Sequence, residues 1–147
     1  MRGLFQEDVV ALARSWIGTP YCHGAACRGA GADCLGLVRG VWRELYGRDA
    51  APVPPYGTDW AESGQERLLA DALSWHFRRV SAGEEALGQV LLFRLRRTGP
   101  AKHLGIQSAG GAEPAFVHAF HGAGVVESAL TAPWWSRLAG RYAFPAA

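Results

Sequence analysis

The hydrophobic periodicity of the chain changes near Gly83, and this change limits the fold more than any single residue does. Before it, apolar side chains recur at the three- and four-residue spacing of amphipathic helices. After it, short runs rich in β-branched and aromatic residues are separated by glycine-bearing turns, as in antiparallel strands. Helices followed by an antiparallel sheet predict the α+β class, in which helices cover one face of the sheet. A length of 147 residues fits one ordinary domain, so we predict a single domain over residues 1–147.

The predicted elements form two groups along the chain. The helices are predicted over residues 6–17, 34–46 and 62–77, and the strands over residues 89–94, 103–108, 115–120 and 125–128. An ordered glycine-rich loop over 19–32 precedes the second helix, and prolines stiffen the connection at 50–57. The aromatic-rich tail over 133–144 is interpreted as closing the core or an edge of the sheet.

Composition and charge argue against several classes of partner. The formal net charge is only +2 and the arginines are scattered, so nucleic acid is not an expected partner. No apolar run approaches the roughly 18 residues of a membrane helix. The N-terminal residues lack the apolar segment and cleavage site of a secretory signal. We therefore expect synthesis in the cytoplasm without Sec export, and a target outside it would require another route.

Cys34 lies where the glycine-rich loop meets the start of the second predicted helix. Unpaired N–H groups and the positive end of the helix macrodipole face the residue that begins a helix, which favours a thiolate over a thiol. We therefore interpret Cys34 as a candidate nucleophile. Asp33 precedes it as a favoured N-cap residue, and a carboxylate so close would raise the thiol pKa and oppose the dipole.

A cysteine nucleophile needs a base to accept its proton and a third group to orient that base. His103 begins a predicted strand and is the candidate base. His118 lies in the next predicted strand, and adjacent antiparallel strands place side chains about 5 Å apart, so His118 can orient His103. His121 lies three residues further along and is an alternative third member if a bulge intervenes.

Four short blocks of the sequence, with their spacing, are similar to those of a known family. The blocks are Gly18-Thr19-Pro20-Tyr21, Asp33-Cys34, Gly36-Leu37-Val38 and His103-Leu104-Gly105-Ile106. In these blocks, and over nearly its whole length, the chain resembles the NlpC family of papain-like cell-wall cysteine peptidases. Leu35 and the pair Trp134-Trp135 make it most similar to the branch found in phage tails and gene transfer agents.

The resemblance implies a role for each candidate residue. Cys34 is the nucleophile, His103 the general base and acid, and His118 the orienting third member. Tyr21 corresponds to a tyrosine whose hydroxyl helps to stabilise the oxyanion beside the backbone N–H of Cys34. Asp33 corresponds to a carboxylate that engages the free amine of a peptide stem. The resemblance implies no metal and no cofactor.

The resemblance also implies a substrate and a setting. The substrate is the peptide stem of peptidoglycan, commonly cut between D-glutamate and a diamino acid. The implied partners are phage-like tail proteins, with the enzyme carried in a tail particle and acting on the cell wall in the periplasm. Two departures from the family pattern bear on specificity: Cys22, His23 and Ala25 alter the wall after the tyrosine, and residues 50–80 form an insert between the Cys and His blocks.

Three alternatives remain open at the level of sequence. Cys22 and Cys27 are close enough to form a disulfide, although thiols without an export signal are more often reduced. Cys22, Cys27, Cys34 and His23 would make a zinc module, but their spacing fits no pair of tight knuckles. A structural tail-tip component with a dormant site, or an amidase or acyltransferase on the same fold, is the functional alternative.

Overall fold

The computed structural model describes residues 2–50, 68–96 and 98–145. Four helices are present in this part of the chain: α1 Arg2–Ser15, α2 Cys34–Tyr46, α3 Leu68–His76 and α4 Ala132–Trp135. The strands are β1 Ala26–Cys27, β2 Gly31–Ala32, β3 Arg78–Val80, β4 Val90–Arg94, β5 Ala101–Ala109, β6 Ala115–Phe120, β7 Gly124–Ala129 and β8 Leu138–Ala143. No described helix is long and apolar enough to span a bilayer.

The strands form a six-stranded antiparallel sheet and a small two-stranded ribbon. The order in the large sheet is β3-β8-β4-β5-β6-β7, and the ribbon is β1-β2. Strands β4 to β7 are consecutive neighbours, as expected for strands joined by short turns. The sheet therefore carries the segments that were predicted to hold the two histidines, β5 and β6, side by side.

Both faces of the sheet are covered. Helices α1 and α2 pack on one face and build the larger core, whose buried side chains include Val9, Ala13, Trp16, Leu37, Val41, Leu104, Ile106 and Val117. On the other face a smaller cluster joins the sheet to the segment around α4, and it contains Leu91, Phe93, Phe116, Leu130, Trp134, Trp135 and Leu138. The predicted α+β class, with N-terminal helices on an antiparallel sheet, is confirmed.

Helix α2 begins and ends where the sequence predicts. Asp33 is its N-cap, with extended backbone and a side chain that accepts a hydrogen bond from the N–H of Gly36. Gly47 ends the helix with φ of 76°, a left-handed conformation that glycine adopts without a steric penalty. These two residues place Cys34 at the first position of the helix.

The tail closes the core rather than an edge, which is one of the two predicted outcomes. Tyr142 and Phe144 are buried in the larger core, and β8 pairs with both β3 and β4 inside the sheet. The edge strand beside β8 is β3, which the sequence did not reveal because it is only three residues long. The glycine-rich loop contains the short ribbon β1-β2. The proline-rich connection at 50–57 and the start of the predicted third helix lie outside the described residues, apart from Ala50.

Candidate active site

A surface cavity of about 430 Å³ opens where the start of α2 meets β5, and four of the five predicted site residues line it, His118 being the exception. The walls come from the glycine-rich loop, the first turn of α2, β5 and the end of β6. They consist of Tyr21, His23, Asp33, Cys34, Leu35, Leu95, Lys102, His103, Ala119, Phe120 and His121. This cavity is the candidate active site.

Asp33 joins the glycine-rich loop to the start of α2. Its Oδ1 accepts a hydrogen bond from the backbone N–H of Gly36 at 2.7 Å, and its Oδ2 accepts one from Gly24 at 2.7 Å. His23 Nδ1 lies 3.8 Å from the same Oδ2. The carboxylate is buried, so these partners compensate the loss of hydration. Its capping role is therefore observed, whereas binding of a substrate amine stays a prediction.

The surroundings of Cys34 favour a neutral thiol, contrary to the thiolate expected at a helix N-terminus. Burial raises the pKa of Cys34 to about 12, and the charge of Asp33 adds to the increase. Backbone hydrogen bonding at Leu104, at Leu35 and at Cys34 itself lowers the pKa and only partly offsets the burial. The thiol donates to the carbonyl oxygen of Lys102 at 3.8 Å. The resting site holds a thiol beside the strand that carries His103.

Two histidines and a serine form a hydrogen-bonded chain behind the cavity. His103 Nε2 lies 2.8 Å from His118 Nδ1, and His118 Nε2 lies 2.9 Å from the hydroxyl oxygen of Ser128. His121, the alternative third member, instead packs edge to face with Tyr21, at 5.2 Å between ring centroids. The structure thus brings His118, rather than His121, to His103. Since Nε2 of His103 is engaged by His118, Nδ1 is the nitrogen available to a thiol proton.

Aromatic side chains surround both imidazoles. The ring of Trp134 stacks on His103 with 5.6 Å between centroids, and Phe120 meets the same imidazole edge to face at 5.8 Å. The ring of Phe116 stacks on His118 at 4.1 Å. Burial lowers the pKa of His103 to about 3, with the neighbouring His118 adding to the effect, and burial lowers the pKa of His118 to about 4. Both histidines are therefore neutral near pH 7.

These buried histidines predict a loss of stability in mild acid. Below the pKa of 6.5 of an unperturbed histidine, the unfolded chain binds more protons than the folded one. The free energy of unfolding therefore decreases as the pH is lowered, by up to about 1.4 kcal/mol per pH unit for each histidine. Urea unfolding between neutral pH and about pH 4.5 is expected to show a steeper loss for the wild type than for His118→Gln. Equal slopes for the two proteins would contradict the prediction.

Tyr21 keeps its hydroxyl proton in the cavity. Burial raises its pKa to about 12, and the neighbouring Cys34, Asp33 and Cys22 add smaller increases. A protonated phenol is a hydrogen-bond donor, as its predicted role toward an oxyanion requires. His23, one of the residues at which the sequence departs from the family pattern after the tyrosine, lines the same cavity.

The three cysteines, all within the described part of the chain, are free. Cys22 and Cys27 are exposed and unbridged, so the possible disulfide is not formed in this structure. Within residues 2–50, 68–96 and 98–145, no group of three or more His, Cys, Asp or Glu side chains is arranged to hold a metal ion.

Two residues of the site were missed by sequence reasoning. Ser128 lies in a strand that was predicted correctly, but the pairing of that strand with β6 was not worked out. The register places Ser128 opposite Phe116 and Val126 opposite His118, so Ser128 and His118 are diagonal neighbours on one face. No local feature of the sequence indicated that Trp134 contacts His103, because this contact depends on where the tail folds back.

Comparison with curated proteins finds relatives that are named as endopeptidases. A protein of Haemophilus influenzae named "Probable endopeptidase" is 28% identical over 142 residues, which cover 92% of this chain and 76% of that protein. The Escherichia coli K12 protein named "Murein DD-endopeptidase MepS/Murein LD-carboxypeptidase" is 29% identical over 122 residues, 83% of this chain and 53% of that protein. The chain spans about half the length of the E. coli relative. No family model matches the chain.

Solved structures show the same architecture. The NlpC/p60 domain of the peptidoglycan hydrolase SagA superposes with a TM-score of 0.63 at 24% identity, covering 95% of this chain and 98% of that domain. An NlpC/P60 family protein of Bacillus cereus superposes with a TM-score of 0.64 at 17% identity, covering 92% of this chain and 39% of its own. The chain therefore has the papain-like fold of NlpC/P60 domains.

Proposed function

We propose that this protein is a cysteine peptidase that hydrolyses peptide bonds in the stems of peptidoglycan. One observation carries the proposal: Cys34 and His103 line one cavity, and the second ring nitrogen of His103 is held by His118. A nucleophile, a base and an orienting group in this arrangement are what amide hydrolysis through a thioester requires. The NlpC/P60 fold and the endopeptidase names of two relatives support the choice of substrate class.

The first half of the reaction forms a thioester. As the Cys34 sulfur attacks the scissile carbonyl, Nδ1 of His103 accepts the thiol proton, because burial favours a neutral thiol before substrate binds. The carbonyl oxygen becomes an oxyanion, which the backbone N–H of Cys34 and the Tyr21 hydroxyl stabilise in the proposed mechanism. A preorganised donor of this kind lowers the barrier by roughly 3 kcal/mol. The proton on His103 then passes to the leaving amine as the C–N bond breaks.

The second half regenerates the enzyme. His103, neutral again, accepts a proton from a water molecule that attacks the thioester carbonyl. Collapse of the second tetrahedral species breaks the C–S bond and returns the proton from His103 to the sulfur. The products are a carboxylic acid and an amine, and no cofactor is consumed.

The bond and the setting follow from the sequence resemblance. We propose the bond between D-glutamate and a diamino acid as the site of cleavage, although the E. coli relative is named for DD-endopeptidase and LD-carboxypeptidase activities. We also propose that a phage-like tail particle carries the protein to the periplasmic face of the wall, with tail proteins as partners.

Mass spectrometry of muropeptides tests the activity and the bond together. Purified peptidoglycan is incubated with the wild type or with Cys34→Ala, and the soluble fragments are compared. Cleavage at the proposed bond releases a dipeptide-bearing glycan and a fragment with a newly free amine on the diamino acid. Loss of cross-links with intact stems indicates the DD bond instead. Identical fragment patterns from the two proteins would leave only the structural role.

His118→Ala is expected to lower kcat about 10- to 100-fold, less than removal of the nucleophile, because water or a neighbouring dipole partly replaces an orienting group. His121→Ala is the matched control. It removes an imidazole that lines the cavity but makes no hydrogen bond to His103 among the described contacts. Its kcat is expected to change by less than about 3-fold. A larger kcat loss for His121→Ala than for His118→Ala would reverse the assignment of the third member.

A further inference from the structure

We infer that Ser128 is a positioning residue that accepts the Nε2–H of His118 and so holds the histidine pair in the arrangement that lets His103 accept the thiol proton; the inference rests on the proposed function. Its hydroxyl oxygen lies 2.9 Å from His118 Nε2, at the far end of the chain that starts at His103. Ser128 does not line the substrate cavity, so it acts only through the histidines.

Two proton arrangements are compatible with the distances in this chain. In the first, His103 Nε2–H donates to His118 Nδ1, and His118 Nε2–H donates to the Ser128 oxygen. In the second, the serine hydroxyl donates to His118 Nε2, and His118 Nδ1–H donates to His103 Nε2. A neutral His103 then carries its proton on Nδ1 and has no acceptor for the Cys34 thiol. Only the first arrangement supports proton transfer from the thiol.

Aromatic packing alone does not choose between these arrangements. The stacked ring of Phe116, with an angle of 26° to the His118 imidazole, holds the plane of that imidazole. A half-turn about the terminal side-chain torsion leaves the plane unchanged and exchanges the ring nitrogens with carbons. Hydrogen-bond partners, rather than packing, therefore fix which ring atoms of His118 are the nitrogens, and Ser128 supplies the outer partner.

The strand pairing keeps Ser128 at this place. Ser128 is held opposite Phe116 by the β6-β7 ladder, while Glu127 beside it accepts hydrogen bonds from Ser108 at 2.6 Å and from Arg14 at 3.0 Å. Ser128 also lines a second cavity of about 450 Å³ that shares no lining residue with the first. The outer end of the hydrogen-bonded chain thus faces a different part of the surface from the substrate.

A threonine and a valine variant make a matched pair for the test. Both side chains are β-branched and suit a strand, but only threonine keeps a hydroxyl. Ser128→Val is expected to lower kcat about 10-fold with KM unchanged, and Ser128→Thr to stay within about 3-fold of the wild type. Equal losses in the two variants, or a loss confined to KM, would overturn the inference.

A spectroscopic measurement makes the result independent of turnover. Nitrogen-15 NMR of the histidine side chains in the wild type is expected to show His118 protonated on Nε2 and His103 protonated on Nε2. Ser128→Thr keeps this pattern, whereas Ser128→Val shows a mixture of His118 tautomers. A wild-type His118 protonated on Nδ1 would overturn the inference. If the protein hydrolyses no peptidoglycan but shows the expected spectrum, the proposed function fails and the positioning role of Ser128 stands.

Discussion

Replacing Cys34 with alanine is expected to lower kcat/KM on peptidoglycan fragments at least about 10⁴-fold. Cys34 is the only thiol among the residues that line the cavity, so its removal leaves no sulfur to form the thioester. Cys34→Ser is expected to be similarly inactive, because a hydroxyl is a far weaker nucleophile with the same base. The measurement is release of muropeptides, with folding monitored by circular dichroism.

Cys27→Ala is the matched control for the loss of a thiol. Cys27 is exposed and lies outside the walls of the cavity, so its replacement is expected to leave kcat/KM within about 2-fold of the wild type. His103→Gln removes the base and is expected to cause a loss of the same order as Cys34→Ala. Turnover above one-tenth of the wild-type rate in Cys34→Ala would disprove the nucleophile assignment.

The position of Cys34 was predictable because local signals define α2. An aspartate N-cap and a glycine stop determine the ends of the helix, and an apolar stripe determines the face that it buries. Strands β4 to β7 were predictable for the same reason, since each is a short β-prone run between turns. Where the backbone preferences of the residues agree with the hydrophobic pattern, the secondary structure can be predicted from the sequence.

The protonation state of the site was not predictable from local sequence. A helix N-terminus favours a thiolate, but this preference is weaker than the cost of burying a charge under a sheet and beside a carboxylate. Burial arises from contacts between Cys34 and β5, which are about seventy residues apart, as the hydrogen bond to Lys102 illustrates. The stacking of Trp134 on His103 was also not predictable from local sequence, because the position of the tail depends on the pairing of β8 with β4.

Gly36→Ala is expected to destabilise the protein by about 3 kcal/mol or more, which for a chain of this length lowers the unfolding temperature by roughly 10 °C. A methyl group at Gly36 would lie 1.8 Å from the carbonyl oxygen of Ala25 and 2.8 Å from its carbonyl carbon. That oxygen also accepts the backbone N–H of Asp33 at 3.2 Å. Because the obstructing atoms belong to the main chain, they cannot rotate away as a flexible side chain would.

Gly83→Ala is the control, because a methyl group there meets no atom within 4 Å and the backbone is not left-handed. Its stability is expected to stay within about 1 kcal/mol of the wild type, since alanine mainly restricts the unfolded chain. Equal unfolding temperatures for the two variants would contradict the close approach at Gly36.

The Gly36→Ala variant is also expected to change the kinetics at temperatures where it remains folded. Relief of the clash must move the loop of Gly24 away from Asp33, so the KM of the variant is expected to rise before its kcat falls. Gly36 is thus required by the close backbone contact between α2 and the glycine-rich loop, which forms one wall of the cavity.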